Sequence, residues 1–123
     1  MPRRMLEESR IHPAVREKIS ALHADIVKEV EDAAAANAVL VVGLRQNVPG
    51  KHARKLLEMH DIAYKYLEYG SYFSGWRRRN ALKMWSGWPT FPIVFVKGAL
   101  VGGAEDLARL HASGELAKLI ENK

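Results

Sequence analysis

The sequence contains no cysteine. That absence removes disulfides, thiolate zinc sites and iron–sulfur clusters held by the chain's own sulfur. It also removes thiol–disulfide exchange, whose attacking group is a cysteine thiolate. Long apolar runs are missing as well. The longest, Ala38 to Leu44, includes Gly43 and is far too short to cross a bilayer. The first residues, Met-Pro-Arg-Arg-Met-Leu-Glu-Glu, carry charge without an apolar stretch, so no signal peptide is expected. A cytoplasmic location without a membrane partner is the expectation. The five histidines (His12, His23, His52, His60 and His111) include no i, i+4 pair, so no metal-ligand set is assigned. Aromatic residues are absent before Tyr64 and after Phe95.

What is present fits one compact domain with an addition. A chain of 123 residues can bury a sizeable core. Its net charge of +5 is unevenly spread. Between Val41 and Trp88 there are nine basic residues (Arg45, Lys51, Arg54, Lys55, Lys65, Arg77, Arg78, Arg79 and Lys83) against Glu58, Asp61 and Glu68. The positive excess and the aromatics therefore share one stretch. An acidic protein partner suits such a surface, whereas three consecutive arginines are too weak a signal to expect nucleic acid.

Residues 1–37 read as an N-terminal extension, mostly one amphipathic helix. Pro13 suits a first helical turn, and Val15, Ile19, Leu22, Ile26 and Val30 recur at three- and four-residue spacing toward the Ala33–Ala36 block. The stripe is longer than one small sheet can cover. A homodimer seam through this helix therefore stands beside simple packing on the sheet. Asn37 ends the helix, and Ala38 to Leu44 reads as a central strand. Lys51 to His60 follows as a helix with Ala53, Leu56 and Leu57 inward. Ile62 to Leu67 is a second strand with its tyrosines on one face, and Ala81 to Ser86 a further helix.

The most informative stretch comes next. Pro89 and Pro92 bracket Thr90-Phe91 and hold the chain extended. Ile93 to Val96 reads as a buried strand, Lys97-Gly98 as a turn, Leu100-Val101 as a returning strand and Gly102-Gly103 as permissive backbone. Ala104-Glu105-Asp106 then opens a helix with the acidic residues its N-terminus favours, and a break at Gly114 leaves two short helices.

Trp88-Pro89-Thr90-Phe91-Pro92, the strand, Lys97-Gly98, Leu100-Val101-Gly102-Gly103 and His111-Ala112-Ser113-Gly114-Glu115-Leu116 together resemble the C-terminal half of a glutaredoxin. The monothiol, Cys-Gly-Phe-Ser type is the nearest flavour. The resemblance runs from about Val39 onward, so residues 38–123 are taken as a glutaredoxin-like domain. It implies an α/β, thioredoxin-like fold: a four-stranded mixed sheet flanked by helices, here with an extended N-terminal helix. It implies a cis bond before Pro92, with Phe91 and Pro92 at the site. It places Asn47 where the family has its nucleophilic cysteine, so no catalytic residue is assigned. Arg45 stands nearest to the family's basic residue ahead of that motif. Arg79 aligns with the arginine that holds the glycine carboxylate of glutathione. Gly103, Ala104 and Glu105 align with the segment that receives its γ-glutamyl end.

Three classes of function follow. The first is a binding module that keeps a groove for glutathione, or a peptide-like ligand, without redox chemistry of its own. The second is an interaction or regulatory protein using the aromatic and arginine surface from Trp76 to Arg79. The third is a glutathione-dependent, transferase-type enzyme in which the ligand brings the thiol and the helix N-terminus at Asn47 stabilises it. Glutathione is the expected ligand in the first and third.

Overall fold

A computed structural model of the chain describes residues 4–21, 23–45, 48–70 and 76–121. Among these, the central strand β1 (Val39–Gly43) pairs in parallel with β2 (Lys65–Glu68) and antiparallel with β3 (Ile93–Val96). β3 pairs antiparallel with β4 (Ala99–Gly102), giving the order β2-β1-β3-β4. This is the expected four-stranded mixed sheet. Six α-helices flank it: α1 (Pro13–Ala21), α2 (Ala24–Ala36), α3 (Val48–Met59), α4 (Trp76–Ser86), α5 (Ala104–Ser113) and α6 (Glu115–Glu121).

The period-two alternation of strands decides which helix goes where. Leu40 and Val42 of β1 join Ile93 and Phe95 of β3 on one face, against Ile26, Val30 and Ala34 of α2 and Ala81 and Leu82 of α4. Val39, Val41, Val94 and Val96 point to the other face, against Ala53 and Leu57 of α3, Leu107 of α5 and Leu116 of α6. All five β1 residues are buried, as a strand covered on both faces requires. Burying each such Val or Leu contributes about 1.5–3 kcal/mol. Tyr64 and Tyr66 pack on the second face, as the alternation implies.

The N-terminal stripe departs from the sequence expectation. It forms two helices, not one, because His23 takes a left-handed conformation with φ 46° and ψ 40°. The two parts have opposite fates. Ile26 is 1% exposed and belongs to the core, whereas Ile19 is 51% exposed. α2 and α4 together cover this sheet face, and Val15 and Ile19 of α1 stay exposed, while Leu22 lies outside the described residues. Helix bounds also widen. α3 starts at Val48, ahead of the expected Lys51, since Pro49 costs nothing in a first turn. α4 starts at Trp76 and not at Ala81.

Candidate functional site

Residues 87–92 form the loop that joins α4 to the inner strand β3. The Phe91–Pro92 peptide bond is cis, and both residues are buried. The opposite wall is the tight passage from β4 into α5. Gly102 has φ 110°, and a Cβ built there would lie 2.6 Å from Asp106 Oδ2. That oxygen is already committed: Gly103 N donates to it at 3.0 Å. Asp106 thus serves the N-terminus of its own helix from the third helical position. Gly103, without a side chain, cannot return the bond.

Between these segments lies an open cleft of about 600 Å³. Its floor and walls come from Leu44 after β1, Pro49 and His52 of α3, Arg79 and Lys83 of α4, Trp88 to Pro92, and Gly103 to Asp106. A cleft of this size is typical of a small-molecule site, where volumes run from about 300 to 1,000 Å³.

Charge in the cleft is divided. Arg79 is 6% exposed, a buried cation at the wall. Its Nη1 donates to the carbonyl of Tyr69 at 3.2 Å. Burial pulls the guanidinium below its ordinary value, since removing water disfavours the charged form. Lys83, one turn further along α4, carries its Nζ 5.7 Å from the centre of the Phe91 ring. Across the cleft, Glu105 and Asp106 reach Arg109 at 3.8 and 3.9 Å, and the Glu105 side chain is 88% exposed. Trp88 closes one side. Its buried Nε1 has no hydrogen-bond acceptor among the described residues and stands 3.5 Å from where a Gly103 Cβ would be.

Of the residues singled out from sequence, Arg79, Phe91, Pro92, Gly103, Ala104 and Glu105 line this cleft together. Arg45 does not line it: its guanidinium lies 3.9 Å from Glu68, and its backbone N–H donates to Gly70. Asn47 lies outside the described residues, as do the side chains of Trp76, Arg77 and Arg78. Lys83, His52 and Trp88 were not assigned to the cleft from sequence, whereas Asp106 stands in the Ala104-Glu105-Asp106 helix start that the resemblance placed there. Lys83 was recoverable, because it sits four residues after Arg79 on the same helix face. Nothing local in the sequence singles out His52, whereas Trp88 opens the Trp-Pro-Thr-Phe-Pro motif whose last two residues were placed at the site.

Known proteins share sequence and fold with this chain. The family model described as glutaredoxin matches residues 48–101. A "Glutaredoxin-like protein" of Dictyostelium discoideum is 41% identical over 105 residues, which cover 85% of this chain and 85% of that protein. The "Bifunctional monothiol glutaredoxin-S16, chloroplastic" of Arabidopsis thaliana is 37% identical over 78 residues, 63% of this chain but 25% of that longer protein. Among solved structures, the crystal structure of a buckwheat glutaredoxin–glutathione complex superimposes with a TM-score of 0.72. That match covers 80% of this chain and 90% of the other at 21% identity, a likeness of fold. The fold agrees with that structure, and the Dictyostelium relative, aligned along most of both chains, carries the assignment. The chain belongs to the glutaredoxin family, as a member whose sequence carries no cysteine.

Proposed function

We propose that this protein binds glutathione, or a closely related peptide-like ligand, in the cleft between α4, the Phe91-Pro92 turn and the start of α5, and performs no thiol–disulfide exchange through its own side chains. The observation that carries the reading is the buried guanidinium of Arg79 at the cleft wall. A guanidinium is shaped for a carboxylate, and a buried one gains most from it, because the partner offsets desolvation already incurred. On the facing wall Glu105 and Asp106 offer negative charge to an ammonium group. A ligand with a carboxylate at one end and an amine at the other fits that division. Glutathione is such a ligand, and the buckwheat family member of the same fold was crystallised with it.

The protein's part would be to hold and orient the ligand. Arg79 would take a terminal carboxylate, the acidic wall the amine, and the backbone at Phe91-Pro92 the extended peptide between them. With no cysteine present, any reactive sulfur would be the ligand's own.

An amide NMR titration with glutathione tests this reading. Saturable shifts at Phe91, Gly103 and Ala104 are expected, and their absence up to millimolar ligand would overturn it. In parallel, disulfide reductase activity with glutathione should stay at background in a preparation free of contaminating glutaredoxin.

A further inference from the structure

α3 and α5 both begin at the cleft, where they contribute Pro49 and His52, and Ala104 to Asp106. They pack against one another across the second face of the sheet and end together at the far side of the molecule. There His60, immediately after α3, meets His111 in the last turn of α5. The two ring centroids are 3.9 Å apart with planes inclined by 36°. Among the described residues neither imidazole makes another hydrogen bond or ion pair. His60 is exposed and His111 half-buried, so the pair is open to solvent.

We propose that His60 and His111 form a two-imidazole binding site for a divalent transition-metal ion of the zinc, nickel or copper(II) class. Three features favour this. First, the 3.9 Å contact brings two imidazoles from different helix ends within reach of one ion, once these solvent-accessible side chains turn out of the stack and aim a nitrogen each at a common point about 2.1 Å away. Second, imidazole is a ligand that this class of ion shares and that magnesium and calcium do not prefer. Third, the ends of α3 and α5 are helix C-termini, whose carbonyls carry partial negative charge and favour a cation. Among the described residues no cluster of three or more His, Asp or Glu side chains is present, so the chain supplies two ligands and water the remainder. Such a site clamps the ends of two helices without fixing a catalytic geometry. It lies away from the cleft and does not depend on the glutathione reading.

The pair was invisible in the sequence, since His60 and His111 are separated by half the fold. A stacked contact without metal affinity is the competing account, and it is separable. Untagged protein would be titrated with Zn²⁺ or Ni²⁺ while melting temperature and histidine ring NMR signals are followed. At a metal concentration ten times the dissociation constant, a rise of about 5 °C in Tm is expected. Paramagnetic Ni²⁺ should broaden the rings of His60 and His111 at lower concentration than those of His12, His23 and His52. His111→Phe keeps a ring in the contact but removes a ligand, and should abolish both effects. The wild-type broadening pattern decides the matter alone if that variant fails to fold. Uniform broadening of all five histidines, no Tm rise, or a rise that survives in His111→Phe would overturn the proposal.

Discussion

Arg79 and Glu105 line the same cleft from different walls, yet the first is 6% exposed while the side chain of the second is 88% exposed. Arg79 is held in a folded wall by packing around α4, and its charge is already stripped of most water. Glu105 stands in solvent beside Arg109, where charge interactions are weak and screened. One unit of charge, positive on one wall and negative on the other, is therefore worth very different amounts to a ligand. The buried wall should set affinity, and the exposed wall should set orientation and salt sensitivity.

The comparison can be broken most directly at Arg79. Arg79→Met retains much of the bulk and loses the charge, so glutathione affinity should fall by about 10- to 100-fold, the loss of a charged hydrogen bond. Folding stability should fall by about 0.5–1.5 kcal/mol, because the Tyr69 carbonyl loses its donor. Calorimetric titration and a thermal melt on the same sample test both halves. A large Tm loss with unchanged affinity would reverse the assignment of the two walls.

A middle-sized effect belongs to Asp106, which supports its own helix as well as facing the cleft. Asp106→Ala leaves Gly103 N–H without its acceptor and should cost about 0.5–2 kcal/mol in denaturant unfolding. Asp106→Asn keeps an oxygen there and should recover most of that stability. Equal losses in the two variants would show that charge, and not the bond, matters at this position.

The smallest effect is expected at Glu105. Glu105→Gln should leave Tm unchanged and weaken glutathione less than about threefold at moderate salt, as for an exposed charge. Repeating the titration at low salt should widen the gap between variant and wild type, and high salt should close it. A salt-independent loss larger than that of Arg79→Met would refute the division between buried and exposed walls.

Much of this was legible in the sequence because local rules and the fold agree. The brackets of proline around Thr90-Phe91, the apolar run of β3 and the turn at Lys97-Gly98 encode neighbouring geometry, and β3 and β4 follow it. The break at His23 was not legible. Ile19 and Ile26 sit on one stripe in the sequence, and the left-handed turn at His23 together with a sheet face already covered by α2 and α4 separates their fates. The cleft was half legible. Arg79, the Trp88 to Pro92 motif and the Gly103 to Glu105 turn came from the family resemblance, whereas His52 reaches the cleft through tertiary packing that no short window contains. Arg45, placed by proximity to a motif, lies instead beside Glu68.

Gly102 carries a consequence for how this protein can change over generations of substitution. A methyl group there would collide with Asp106 within a fold that also demands positive φ. Any replacement must therefore displace the carboxylate that steadies the start of α5, and with it part of the cleft's acidic wall. Gly98, on the hairpin turn, has open space around it, so its restriction is one of backbone alone. Variation, natural or from a mutant library, should thus drift readily at the charged rim around Glu105 and stall at Gly102. Redesigning this cleft for another ligand would begin at Lys83 and Glu105 and leave the β4–α5 passage untouched.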